Sequence, residues 1–138
     1  MTALAKDRST PMKGDARQIS MKVAAGEQIY KGAIVAVSAT GFLEAATDVA
    51  GKLVAGIADQ NVDNTGGADG DVSCIVLKGT AGLRADGTNP TQAEIGRAVY
   101  VQDDGNVQTL AAAANNIKAG HLDSIQDGLY WTRLFDQA

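Results

Sequence analysis

From Ile19 onward the chain is a series of short apolar runs, each broken by Gly, Asn or Asp. Such runs, too short for a regular helix and bounded by turn-forming residues, are the pattern of an antiparallel all-β domain. It predicts strands over residues 19–24, 33–38, 42–46, 53–59, 72–78, 80–84, 98–102, 106–110, 117–123 and 128–135. Ala33-Ile34-Val35-Ala36-Val37, then Ala39-Thr40-Gly41, then Phe42-Leu43-Glu44 reads as a hairpin. Asp103-Asp104-Gly105-Asn106 and Gln126-Asp127-Gly128 supply two more turns, because Asp and Gly tolerate the positive φ of tight reversals. So many strands in so short a chain predict a small β-barrel or sandwich.

One helical signal interrupts the strands. Thr91-Gln92-Ala93-Glu94 after Asn89-Pro90 matches a capping box, and Gly96 would end the helix after about one turn. Residues 110–116, with consecutive alanines, read either as a second short helix or as a loop. In the last strand Leu129, Trp131 and Arg133 would face away from Tyr130, Thr132 and Leu134. Trp131 fits a core position and an interface anchor equally well.

Residues 1–18 break the pattern. They are polar, hold Thr10-Pro11 and Lys13-Gly14-Asp15, and show neither period, so they read as an extended N-terminal arm preceding a β-rich domain over 19–138. Fully stretched, the arm would span about 60 Å. The globular part would have a radius of gyration of only about 14 Å.

Composition and charge narrow the classes. A chain of 138 residues fits one domain, and at this size roughly 70% of the unfolded surface can be buried. The single cysteine, Cys74, excludes an internal disulfide and a cysteine-cluster metal site, so packing or self-association must supply stability, as suits a reducing cytoplasm. No apolar stretch approaches the roughly 20 residues of a membrane span, and the N-terminus lacks a signal peptide's apolar core. Residues 1–22 carry Lys6, Arg8, Lys13, Arg17 and Lys22 against Asp7 and Asp15, a local charge of +3, which leaves −7 on the remainder. An acidic body repels a phosphate backbone, so neither nucleic acid nor a membrane is an expected partner.

Candidate chemistry is sparse. His121 is the only histidine and has no nucleophile motif around it. Cys74 alternates with Val72 and Val76 and reads as a small inward hydrophobe. The stretch Asp63-Asn64-Thr65-Gly66-Gly67-Ala68-Asp69-Gly70-Asp71 invites a calcium reading. It lacks the alternate ligands and closing Glu of an EF-hand, and no Gly-Lys-Ser or Gly-Lys-Thr makes it a phosphate loop, so a solvated connection is the expectation. No enzymatic activity, cofactor or metal is expected.

Several stretches in order resemble the small head decoration (capsid cement) proteins of tailed bacteriophages. They are the polar arm, then Gly26-Glu27-Gln28-Ile29-Tyr30-Lys31-Gly32 within 23–37, Val54-Ala55-Gly56-Ile57-Ala58, the 63–70 loop, Ile95-Gly96-Arg97-Ala98-Val99-Tyr100-Val101-Gln102-Asp103-Asp104, Ile117-Lys118-Ala119-Gly120 and Gly128-Leu129-Tyr130-Trp131. The resemblance implies a structural protein made in the host bacterial cytoplasm and bound to the outside of the expanded head, which it stabilises against packed DNA. It implies the major capsid protein as partner and a homo-oligomer, a trimer favoured over a dimer. It places capsid binding on the arm, with Lys6, Arg8, Thr10, Pro11, Lys13 and Arg17 as candidates. The alternatives are a tail or head-completion component, or a small-molecule or glycan-binding β-barrel. The scarcity of aromatic stacking platforms counts against glycan.

Overall fold

In a computed structural model the described residues are 3–87 and 89–134, apart from the side chains of 12–17. The protein is mainly β, as the run pattern predicts. The described strands are β1 (Met12–Lys22), β2 (Gln28–Ile29), β3 (Ile34–Val37), β4 (Leu43–Ala45), β5 (Leu53–Ala58), β6 (Val62–Asp63), β7 (Ser73–Leu83), β8 (Ala98–Asp103), β9 (Asn106–Gln108), β10 (Lys118–Gln126) and β11 (Leu129–Leu134). Nine form one curled sheet in the order β4-β3-β5-β7-β11-β10-β8-β9, with β1 added along β7, while β2 and β6 make a separate ribbon. The curl brings distant elements together: the Ile34 N–H donates to the Asp104 carbonyl at 2.7 Å, and the Val107 N–H to the Arg84 carbonyl at 2.8 Å.

The centre of the sheet is β7. Its residues 73–81 pair with β1, while Val76 and Leu77 pair with β5 and residues 79–83 pair with β11. The sequence pattern divides this region into two strands at Gly79. The chain instead runs through, because Gly79 takes a φ of +152° that a side chain would resist, and so changes partner without ending.

Both faces of the sheet are buried where β3 and β5 meet. Ile34, Val54, Ile57, Leu83, Val99, Val101, Val107 and Leu122 fill one core, and Val23, Ile29, Val35, Leu43, Val62, Cys74 and Val76 fill the other. Val54 and Ile57 share a face despite their odd spacing, because Val35 pairs with Gly56 and Ala36 with Val54, leaving Ala55 as an extra residue. Such a bulge shifts the alternation by one.

The turns follow their local chemistry. The β3–β4 hairpin forms with Gly41 at φ +84°, and β10 turns into β11 with Asp127 at +55° and Gly128 at +74°, the paired left-handed residues of a two-residue reversal. The short helix is a 3-10 turn at Gln92–Glu94, where the Glu94 carboxylate accepts from the Thr91 N–H at 3.4 Å and from its hydroxyl at 3.1 Å. Residues 110–116 form a loop, held by Asp48.

Candidate functional site

The segment singled out by its polarity does not stand clear of the body. The boundary drawn at residue 18 falls inside β1, which lies against β7 from Met12 to Lys22 with an interruption between Lys13 and Arg17. No other described strand pairs with β1, so its second edge is open. Gln18, Ile19 and Ser20 are exposed along it.

Residues 3–11 run over the surface of the body as extended chain. Leu4, Arg8 and Thr10 are half-buried while their immediate neighbours are exposed, the two-residue alternation of an extended segment laid on a surface. The Leu4 N–H donates to Asp104 Oδ1 at 2.9 Å, and the Arg8 N–H to the Lys31 carbonyl at 2.8 Å. Arg8 Nη1 donates to the Gly105 carbonyl at 3.1 Å, and the Thr10 hydroxyl to the Gly32 carbonyl at 2.7 Å. The Pro11 carbonyl accepts the Gly82 N–H at 2.7 Å. Asp7 accepts from the Lys31 N–H and from Asn61 Nδ2.

Three glycines floor this seat. A methyl group at Gly32 would run into the Arg8 carbonyl, and one at Gly105 would come within 3.3 Å of Arg8 Nη1 and 3.4 Å of Leu4 Cδ2. At Gly82 it would meet Pro11 Cγ at 3.0 Å and Trp131 Cη2 at 3.1 Å. The lack of a side chain at each lets one backbone approach another closely. Trp131 is buried, its ring and that of Pro11 both reaching Gly82.

The electrostatics of the seat are strained on both sides. Asp104 is only 5% exposed. Burial raises its pKa above the ordinary carboxylate value and Asp103 adds to this, while the Leu4 N–H and Arg8 oppose it. Burial, followed by the nearby charge of Arg84, lowers the Arg8 pKa, and Asp104 and Asp103 pull it back. A cavity of about 550 Å³ opens beside these groups, lined by residues 3–8 with Arg84, Asp86 and Asn106.

The six candidate arm residues therefore separate. Arg8, Thr10 and Pro11 face the chain's own body, Lys6 is exposed, and Lys13 and Arg17 stand on β1 with side chains outside the described set. Their hydrogen-bond partners Lys31, Gly32, Gly82 and Gly105 carry no recognition signal in the sequence beyond reading as strand or turn residues.

The other candidates lie away from this seat. In the 63–71 loop, Asp63 Oδ1 accepts from the Thr65 N–H and hydroxyl, Asp69 Oδ1 from the Ala25 N–H and Asp71 Oδ2 from the Ala68 N–H. Among the described residues no group of three or more His, Cys, Asp or Glu is placed to hold a metal ion. Cys74 is fully buried, and burial raises its thiol pKa. His121 borders a surface pocket of about 360 Å³ with Ile95, Gly96, Leu122, Asp123 and Arg133, a lining without a nucleophilic hydroxyl or thiol. Comparison with family models, curated proteins and solved structures finds no match to this chain.

Proposed function

We propose that this chain is a structural decoration subunit of a tailed-phage head, binding the outer surface of the expanded shell through the open edge of β1 and stabilising it there. The observation that carries this reading is β1 itself. It is an eleven-residue strand with one edge uncovered, and it lies in the part of the chain whose charge opposes that of the body. Uncovered edges invite association unless blunted, and a strand of the major capsid protein laid along this one would gain a ladder of backbone hydrogen bonds. Lys6, Lys13 and Arg17 would orient docking on a complementary surface in a salt-sensitive way, adding more to rate and register than to affinity.

A single edge falls short of the roughly 1,200–2,000 Å² that a stable interface buries. Repetition over a symmetric shell supplies the remainder, since many weak sites engaged together act with high avidity. Oligomerisation of the free protein, a trimer foremost, fits the same logic.

The test mixes the full chain with undecorated expanded heads and sediments them. Saturable co-sedimentation that weakens with salt, together with greater resistance of the heads to heat, is expected. No co-sedimentation with heads, or equal binding to tails, would overturn the reading in favour of another virion role or a free-standing binding barrel.

A further inference from the structure

The seat of residues 3–11 is a receptor whose preferred occupant is known, because this chain's own segment fills it. The groups that the segment grips belong to the body: the Lys31, Gly32 and Gly105 carbonyls, the Lys31 and Gly82 N–H groups, the Asn61 amide and the Asp104 carboxylate. We propose that this seat also receives residues 3–13 of a second copy, so that neighbouring copies are joined by exchanged N-terminal segments.

The geometry favours exchange in three ways. First, the contacts are the same whichever copy supplies the segment, so the two arrangements differ only in the entropy of association and in the conformation of the connection. Second, the connection already has a break. Lys13 pairs with Thr80 and Arg17 with Lys78, so three residues of β1, 14–16, are set against Gly79 alone of β7, and Gly14 lies in that gap. A ladder interrupted by extra residues is where a strand parts from its sheet at least cost. Third, the segment is long enough. From that gap to Leu4 is about ten residues, which extended reach roughly 33 Å, well beyond the body's radius of gyration of about 14 Å.

The seat also cannot be left empty cheaply. Asp104 is almost wholly covered, and withdrawing the segment would leave its carboxylate, three carbonyls and the Gly82 N–H without their partners. A segment from a neighbour restores each of them. This inference concerns how copies join one another and stands apart from the capsid reading, so its test uses no capsid.

In a Cys74→Ala background, Leu4→Cys and Gly105→Cys are placed in one chain or in two separate chains. Leu4 Cδ2 lies 3.4 Å from where a Gly105 Cβ would sit, so side chains at these two positions meet across the seat. The doubly substituted chain, oxidised when dilute, closes on itself. The two singly substituted chains, refolded together at high concentration, are expected to yield a covalent dimer with one of each, in an amount that rises with concentration. Closure within the double variant without any such mixed dimer would overturn the proposal. Light scattering gives a second readout: a chain beginning at Met12 should associate at least about tenfold more weakly than the full chain. Equal association of the two would overturn the proposal as well, whether or not the disulfide forms.

Discussion

Asn64 is 3% exposed, and its Nδ2 donates to the Ala24 carbonyl at 2.9 Å, the Ala68 carbonyl at 3.0 Å and the Val23 carbonyl at 3.4 Å. One amide thus ties the end of β1 to a loop some forty residues away. Replacing it with Ala should cost about 1–2 kcal/mol in urea unfolding, because all three carbonyls lose this donor, although those of Val23 and Ala68 keep the Gly70 and Asp71 N–H groups. A loss near zero would mean that water satisfies them. The sequence shows that 63–71 is a polar, glycine-rich connection, since that follows from composition alone. It does not show that an oxygen of each of its carboxylates accepts from the chain itself, or that Asn64 reaches back to Ala24, because the donor to Asp69 and that acceptor are remote in sequence. Asp104 is similar: it reads as a turn residue, and its second role depends on a segment a hundred residues earlier.

Among the elements, the hairpins were readable because their signals are local: Gly41 and the Asp127-Gly128 pair supply the backbone angles that their turns need. The N-terminal half of β1 was not. Its polar residues lack alternation, and what makes them a strand is the edge of β7, which no local pattern announces. Gly32, at φ +92°, lies directly under Arg8. Gly32→Ala should therefore cost about 2–3 kcal/mol in the full chain, combining backbone strain with displacement of the segment. In a chain starting at Met12 only the strain, roughly 1 kcal/mol, should remain. Equal costs would show that the seat adds nothing. The loop at 110–116 offers a pH test. Burial pushes the Asp48 pKa up, but the Ala114 and Asn115 N–H groups and the side chains of Gln108 and Asn115 push it down further, so the net shift is downward from 3.8. A depressed native pKa stabilises the fold above the unfolded value, and that stabilisation disappears as pH falls through the native one. Stability attributable to Asp48 should thus be full at neutral pH, begin to fade near the unfolded value of about 4 and be gone only below the lower native one. Comparing urea midpoints of wild type and Asp48→Asn across that range should show the two curves converging on acidification, whereas a constant gap would contradict the assignment.

At the scale of the whole molecule, an acidic β body carries one basic-rich strand, β1, which pairs with β7 alone among the described strands. The all-β class was legible from the run pattern because burial of alternate positions is how a sheet makes a core. The placement of residues 3–11 was not, because polarity describes a segment that binds its own body as well as one that binds a partner. The central claim is that β1's open edge faces a phage head. Cryo-electron microscopy of expanded heads incubated with the full chain tests it most directly. Ordered density is expected on the outer surface only, with β1 extending a strand of the major capsid protein. Density that meets the shell through another face, or heads that remain bare at saturating protein, would contradict it.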